Sequence, residues 1–468
     1  MSKTPTYVTP EALKRQEDAI ERIAALPGKP QTYHIVTYGC QMNAHDSETL
    51  AGMLEGMGMR EAQDRLTADL VLFNTCCVRD NAERRALGNV NWLKELRRGN
   101  PDLIIGVCGC MVQQPQMAQK ILKQYPFIDL AFGTHNVYEL PEMLEGLLTS
   151  GKRAIHLAEE ENQIAEGLPM KRQSAHKAFI TIMYGCNNYC SYCIVPYVRG
   201  RERSRRMDDI LREAEGLLQS GVQEIMLLGQ NVNSYGNGTQ ETFPALLKAL
   251  DALGVPRIRF MTSHPKDLSD ALIDVMASGK HIARHMHLPV QSGSDAILAA
   301  MNRHYTREKY MERVASLRRA VPGIGLSTDL IVGFPGETEA QYQDTVSLVE
   351  EVGYDSAFTF IYSAREGTAA AKLPGQLPES VTGERIARLI RTVEQGTQRA
   401  HASMLGKPEH VLVESISKRD GAMVSGKGSR GITIVLPGSQ EDIGKIIPVT
   451  ITQSAANTLR ATRQTEGE

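Results

Sequence analysis

Three cysteines crowded into one loop are the residues of this 468-residue chain best suited to chemistry: Cys186, Cys190 and Cys193, in the run YGCNNYCSYC. A four-iron cluster usually takes four cysteine thiolates, and intervals of three and two residues let one loop reach three irons. The fourth iron lacks a local cysteine, which leaves it open to an amino-acid-like ligand that could chelate it and take an electron from the cluster. Zinc is the alternative, since Cys-x-x-Cys is a common half-site and His281, His285 and His287 could complete it. Zinc sites usually show two paired spacings, however, and His285 and His287 alternate on a strand as barrel-facing residues would.

A second set emerges from three apolar runs that end alike: HIVTYGC at Cys40, LVLFNTC at Cys76 and LIIGVCGC at Cys110. One cysteine at a strand end is usually a small buried hydrophobe. Three at equivalent ends of a parallel sheet share the edge where ligands bind, so these thiolates could share a second metal site. Cys77 and Cys108 are read as simply buried; either one, as a fourth ligand, would close that cluster and quiet its chemistry.

The elements that must position these residues follow from periodicity. From Gln31 to about Ser150, HIVTY, LVLFN, LIIGV and IDLAFG alternate with helical patterns at 47–57, 81–98 and 116–123, which reads as a doubly wound α/β domain. Residues 151–176 carry mixed charge without a period and read as a linker or an edge excursion. Six strand candidates follow (AFITIM, EIMLLGQN, RIRFMT, HMHLPV, LSTDLIVG and SAFTFIYS), with helices between them at 207–219, 244–253 and 339–351. A full barrel takes eight such units, so six predict a partial (βα)6 barrel with a lateral opening. EHVLVESIS, GITIVLPG and KIIPVTITQ predict a small C-terminal β-barrel. The expected divisions are an extension over 1–30, the α/β domain over 31–150, the linker over 151–176, the partial barrel over 177–404 and the small β-barrel over 405–465.

Composition narrows the setting. Apolar content of 42% with 23% charged residues is that of a globular protein. The N-terminus lacks a basic start followed by an apolar run, and no later stretch is apolar for eighteen residues, so neither export nor a membrane span is expected. The expected compartment is the cytoplasm, where the eight cysteines stay reduced and disulfides are disfavoured. A net charge of -2 gives no global attraction to nucleic acid, so any RNA contact must come from local patches.

With these residues in view, the chain resembles the radical S-adenosylmethionine methylthiotransferases from Tyr33 to about Arg463. The motifs that carry the resemblance are YGCQMNAHDSE, NTCCVR, YGCNNYCSYCIVPYVRGRERSR, LGQNVNSYG, TSHPKDL, HLPVQSGSD and STDLIVGFPGET. QMN after the first cysteine, PYVRGRERSR and QNVNSYG look most like the branch that makes 2-methylthio-N6-dimethylallyladenosine in tRNA. The resemblance implies two 4Fe-4S clusters and S-adenosylmethionine. The cluster on Cys186, Cys190 and Cys193 would cleave that cofactor reductively, and the one on Cys40, Cys76 and Cys110 would supply sulfur to carbon 2 of the prenylated adenosine beside the anticodon. It also implies as partners a prenylated tRNA, an electron donor such as flavodoxin or ferredoxin, and a sulfur donor or cluster-repair protein. Cys77 stands where a small polar residue is more usual in the family.

For the cofactor, the resemblance points to Tyr192 against its adenine ring and to Gly229, Gln230 and Asn231 near its amino group. Gln291, Ser292 and Asp329 follow later strands and could bond its ribose or carboxylate, or simply form turns. Arg199, Arg201, Arg203, Arg205 and Arg206 crowd the stretch after the cluster loop, and guanidinium groups suit phosphate. The C-terminal barrel resembles the TRAM domain, an RNA-binding module, with Lys418, Arg419, Lys427 and Arg430 in or near its loops. Two other readings remain: a sister enzyme acting on threonylcarbamoyl adenosine or on a ribosomal protein aspartate, and a non-catalytic iron-sulfur sensor that binds RNA.

Overall fold

The computed structural model describes residues 6–77, 88–89, 91–92, 94–95, 97–156, 163–455 and 458–464. Most of the helix expected over 81–98 lies outside the described residues. The chain divides into two compact units, one formed by Met1–Gln173, Met183–Asn187 and Cys193–Arg205, the other by Ser174–Ile182, Asn188–Tyr192 and Arg206–Glu468.

The first unit holds a six-stranded sheet in the order Arg60–Glu61, Thr32–Thr37, Leu70–Thr75, Ile104–Gly109, Leu130–Phe132, Ala154–His156, parallel throughout. Leu70–Thr75 and Ile104–Gly109 are buried at every position, as strands covered on both faces must be. Leu70 and Leu72 pack with Leu50, Leu54 and Leu144 on one face, while Val71 and Phe73 pack with Met117 and Ile121 on the other. This is the doubly wound domain expected from the alternating runs.

Three features add detail to the sequence reading. Within the extension expected over 1–30, the helix Pro10–Ala25, capped by Thr9, buries Ile23 in the core and pairs Arg22 with Glu145 at 2.5 Å. In the stretch 151–176, read as a linker or an edge excursion, Ala154–His156 forms an edge strand of the sheet, and Lys171 N donates to Glu48 O at 2.9 Å. The helix expected from residue 47 starts at Gln41, directly after Cys40.

In the second unit six parallel strands, Lys177–Thr181, Glu224–Leu228, Arg257–Phe260, His285–His287, Gly325–Val332 and Ser356–Ile361, form two three-stranded sheets. A parallel bridge between Ile258 and Ile282 runs beside the junction of the third strand with the fourth. Among the described residues no pairing joins the sixth strand to the first, so the barrel is open as six units imply. The C-terminal segment forms a closed five-stranded barrel, ordered Pro408–Ser417, Asp420–Lys427, Thr433–Pro437, Thr458–Arg463, Ile446–Ser454, around Val411, Val424, Ile434 and Val449.

The small barrel seats on the amino ends of the large barrel's strands. Arg257 donates to Lys427 O and His410 O, each at 2.8 Å, and Arg259 to Gly428 O at 3.0 Å and Ser429 O at 3.2 Å. Glu224, 1% exposed, takes both N–H groups of Arg259 at 3.2 and 3.3 Å and offsets the buried charge. No helix among the described residues is long and apolar enough to cross a membrane.

Candidate metal centres

In the first unit the strands ending before Cys40, Cys76 and Cys110 are neighbours and parallel, which brings the three chain ends to one sheet edge. Gly39 makes the approach possible: at φ +124° it has a conformation L side chains rarely adopt, and a Cβ there would lie 2.5 Å from Cys76 Cβ. Asn43, fully buried, donates to Asn74 Oδ1 at 3.0 Å and Thr75 O at 3.1 Å, and Asn74 donates back to Asn43 O at 2.8 Å. That reciprocal bonding ties the start of the Gln41–Gly56 helix to the strand preceding Cys76. Cys40 itself is exposed at the helix N-terminus, whereas Cys76 and Cys110 are buried.

Cys110 has the most distinctive surroundings. Arg199, 5% exposed, donates from Nε to its Sγ at 3.3 Å and from Nη2 to Asp46 Oδ2 at 2.9 Å. A hydrogen bond from Cys77 and the nearby Arg199 charge hold the Cys110 thiol below the usual thiol range, against the opposing effect of burial. Cys77 is buried, as expected, but not inert, since it packs with Cys110, Ile194 and Val198. Cys108 lies inside the sheet core, and burial pushes its thiol up.

None of the eight cysteines forms a disulfide. Among the described residues no three His, Cys, Asp or Glu side chains stand close enough to hold a single metal ion. The thiolates of a four-iron cluster each bind a different iron and stand farther apart, so soft thiols outside any disulfide fit a cluster better than zinc. Two of the three histidines of the zinc alternative are engaged elsewhere: His285 Nε2 and His287 Nδ1 share Ser327 Oγ at 3.0 and 2.9 Å.

Of the cluster-loop cysteines, Cys186 and Cys193 belong to the first unit and Cys190 to the second. Cys186 N donates to Gly200 O at 3.1 Å, beside an antiparallel pair of Met183–Tyr184 with Arg203–Ser204. Gly185 is required there, because at φ +75° a Cβ would meet Arg201 O at 2.1 Å. In the second unit Cys190 Sγ accepts from Arg303 Nη1 at 3.5 Å, an arginine that sequence reasoning missed because it lies far along the chain.

The residues expected at the cofactor sort into two groups. Gly229 and the half-buried Gln230 directly follow the second barrel strand, and Asn231, 1% exposed, donates to Asp267 Oδ2 at 2.8 Å. The side-chain amide oxygens of Gln230 and Asn231 are buried without a partner, as acceptors awaiting a donor would be. Asp329 is half-buried with His287 Nε2 at 3.6 Å. Gln291 is held at φ +70° by backbone bonds to Asp329 and Ile331, and strain of that kind clusters at functional sites. Ser292 is turned inward, its hydroxyl against Thr345 Oγ1 at 3.3 Å and accepting from Ser294 N at 3.2 Å. Tyr192 packs against Ile297, Met301, Ile331 and Phe334.

The expected RNA patch is smaller than the sequence suggested. Arg199, Arg203 and Arg205 are buried, with Arg205 bonded to Glu166 at 2.6 and 2.7 Å and Arg203 over the Tyr184 ring, so none of the three is open to phosphate. Arg201 and Arg206 remain exposed, the latter with Asp209 at 2.7 Å. In the small barrel Lys418 and Arg419 are exposed at a turn, whereas Lys427 is half-buried on Thr433 and Arg430 is ion-paired with the buried Asp355. Arg430 thus fastens the small barrel to the large one.

Comparison with known proteins agrees with this architecture. Residues 32–133 match an uncharacterized protein family, UPF0004, residues 180–349 the radical SAM superfamily, and residues 402–462 the TRAM domain. Among curated relatives, the tRNA-2-methylthio-N(6)-dimethylallyladenosine synthase of Alkaliphilus oremlandii is 51% identical over 458 residues, covering 97% of each chain. The proteins of the same name from Thermoanaerobacter sp. and Clostridium tetani are 49% and 48% identical, covering 98% of each chain and 92% and 95% of the two chains respectively. A solved structure of the radical S-adenosylmethionine methyltransferase TsrM from Kitasatospora setae, with cobalamin and a [4Fe-4S] cluster bound, superposes with a TM-score of 0.54 at 17% identity over 73% of this chain and 77% of that one, a likeness of fold alone. Domain order, near-complete coverage and about half identity together place the chain in the radical S-adenosylmethionine methylthiotransferase family, among the relatives of the tRNA-2-methylthio-N(6)-dimethylallyladenosine synthases.

Proposed function

We propose that this protein places a methylthio group on carbon 2 of N6-dimethylallyladenosine beside the anticodon of tRNA. The identity of 51% over 97% of a relative bearing that activity's name carries the reading, and it favours this substrate over threonylcarbamoyl adenosine or a protein aspartate. Cys186, Cys190 and Cys193 would hold one four-iron cluster and Cys40, Cys76 and Cys110 a second, each leaving one iron without a protein ligand. When bound, the clusters and S-adenosylmethionine supply the one-electron and sulfur chemistry that an aromatic C–H bond, having no acidic proton, denies to acid–base catalysis.

The chain's own residues bind and orient. The unpartnered side-chain oxygens of Gln230 and Asn231 would accept from the ammonium group of an amino-acid-like ligand, and the half-buried carboxylate of Asp329 would accept from ribose hydroxyls. The apolar wall of Met301, Ile331 and Phe334 behind Tyr192 excludes water that would intercept a reactive species. The exposed charges of Arg201, Arg206, Lys418 and Arg419 would hold the RNA backbone while the target base is turned out of its stack. A one-electron donor such as flavodoxin or ferredoxin, a sulfur donor or cluster-repair protein, and a cytoplasmic setting complete the reading.

The test is anaerobic incubation of cluster-reconstituted protein with S-adenosylmethionine, a reductant and prenylated tRNA. Methylthiolated prenyladenosine in nuclease digests is the expected product. Absence of 5'-deoxyadenosine with every substrate would contradict the reading and favour a sensor.

A further inference from the structure

Arg303 is a buried cation with no carboxylate partner among the described residues. The side chain is 4% exposed. Its Nε donates to Tyr305 Oη at 2.9 Å, its Nη2 to Pro289 O, and its Nη1 to Cys190 Sγ at 3.5 Å. Tyr305 Oη donates its own hydrogen bond to Val290 O at 2.8 Å, as a protonated, neutral phenol does. No carboxylate among the described residues lies within ion-pair distance of Arg303. Arg199, the corresponding donor to Cys110, differs in this respect, because Asp46 neutralises it.

A guanidinium taken out of water without a counter-charge is strongly disfavoured, and proteins keep one only where something negative completes the site. Among the described residues, the one atom its N–H groups reach that readily carries a negative charge is the Cys190 sulfur. The segment that carries Arg303 is also built to hold that sulfur still. Ala300 O and Met301 O accept from Ser191 Oγ and Ser191 N at 2.8 and 3.0 Å, and Asn302 Nδ2 donates to Tyr189 O at 2.9 Å. Tyr189, Asn302 and His304 all have positive φ without being glycine, so both segments that meet here keep unfavourable backbone geometry to do so.

We propose that Arg303 is the counter-ion of the iron-sulfur centre on Cys190 and raises its reduction potential. The inference rests on the cluster assignment made above. Adding one electron to a cluster already carrying three thiolates increases its negative charge, and a fixed positive charge hydrogen-bonded to one thiolate stabilises the reduced form more than the oxidised one. Arg303 is thus a positioning residue acting through Cys190, and the electron comes from a one-electron reductant.

The experiment is a redox titration of the full-length reconstituted holoenzyme with titanium(III) citrate, following by electron paramagnetic resonance the signal that changes when S-adenosylmethionine is added. Arg303→Gln keeps donors and removes the charge, whereas Arg303→Lys keeps the charge. At the wild-type midpoint, the reduced-to-oxidised ratio should fall about tenfold in R303Q, equivalent to about 59 mV for a one-electron couple, and most of that shift should be recovered in R303K. Iron content should be unchanged in both variants. An unshifted midpoint in R303Q, an equal shift in R303K, or loss of the responsive iron from both variants would overturn the proposal and leave Arg303 a loop-holding residue. Absence of any responsive signal from the wild-type protein would instead sink the cluster assignment itself.

Discussion

Arg199 Nε stands 3.3 Å from Cys110 Sγ while its Nη2 stands 2.9 Å from Asp46 Oδ2, so one buried guanidinium serves a thiolate and a carboxylate at once. Removing it should leave Asp46 uncompensated. Arg199→Leu is expected to destabilise the metal-free protein by about 3–5 kcal/mol in denaturant unfolding, and adding Asp46→Asn should restore part of the loss. Equal stability of the single and double variants would show that the pair is not coupled.

Gly39 offers a steric test of how the sheet edge brings Cys40 to Cys76. A methyl group at φ +124°, with Cys76 Cβ 2.5 Å away, must push the two apart. Gly39→Ala is expected to lose the iron bound by this set while keeping that bound by Cys186, Cys190 and Cys193, a fall of about half in the iron per chain. Unchanged iron would show that this approach is not needed for metal.

Glu224 should behave as the keystone under the small barrel. Burial alone would raise its carboxyl, but Arg259, Lys177 and Arg257 hold it below the usual carboxylate range. Its folded value being depressed, its contribution is present above the unfolded value near 4.5 and is lost as pH falls below it. Glu224→Leu, which strands Arg257 and Arg259, is expected to cost about 3–5 kcal/mol at neutral pH. It should also speed protease cleavage near Gly406, at the join of the two barrels; a cleavage rate equal to wild type would argue against the clamp.

The charged residues should separate cleanly in tRNA binding measured across salt concentrations. Neutralising Lys418, Arg419 or Arg201 is expected to weaken binding and to reduce the salt slope by about one for each phosphate no longer neutralised. Lys427→Gln should leave that slope unchanged, since its ammonium is taken by Thr433 within the structure. A reduced slope for Lys427→Gln would return it to the interface.

Fold class was legible because buried parallel strands are continuous apolar runs: LVLF, IIGV and LIVG announce themselves. Helix Gln41–Gly56 was half missed because its first turns bury Asn43, His45, Ser47 and Glu48, polar residues that break the apolar period yet serve the Cys40 edge. The two-residue strand Arg60–Glu61 and the three-residue Ala154–His156 are too short to show alternation. The arginine run misled for a related reason. Counting charge cannot tell Arg199, Arg203 and Arg205, which turn inward, from Arg201 and Arg206, which do not. Arg303 left no local signal, since its partner Cys190 lies 113 residues away.

The account turns on two open clusters in one chain, and iron with acid-labile sulfide per chain in anaerobically purified protein tests it most directly. About eight of each are expected, falling to about four when Cys40, Cys76 and Cys110 are replaced together by alanine. Zinc in place of iron, or a wild-type content no higher than that of the triple variant, would contradict it.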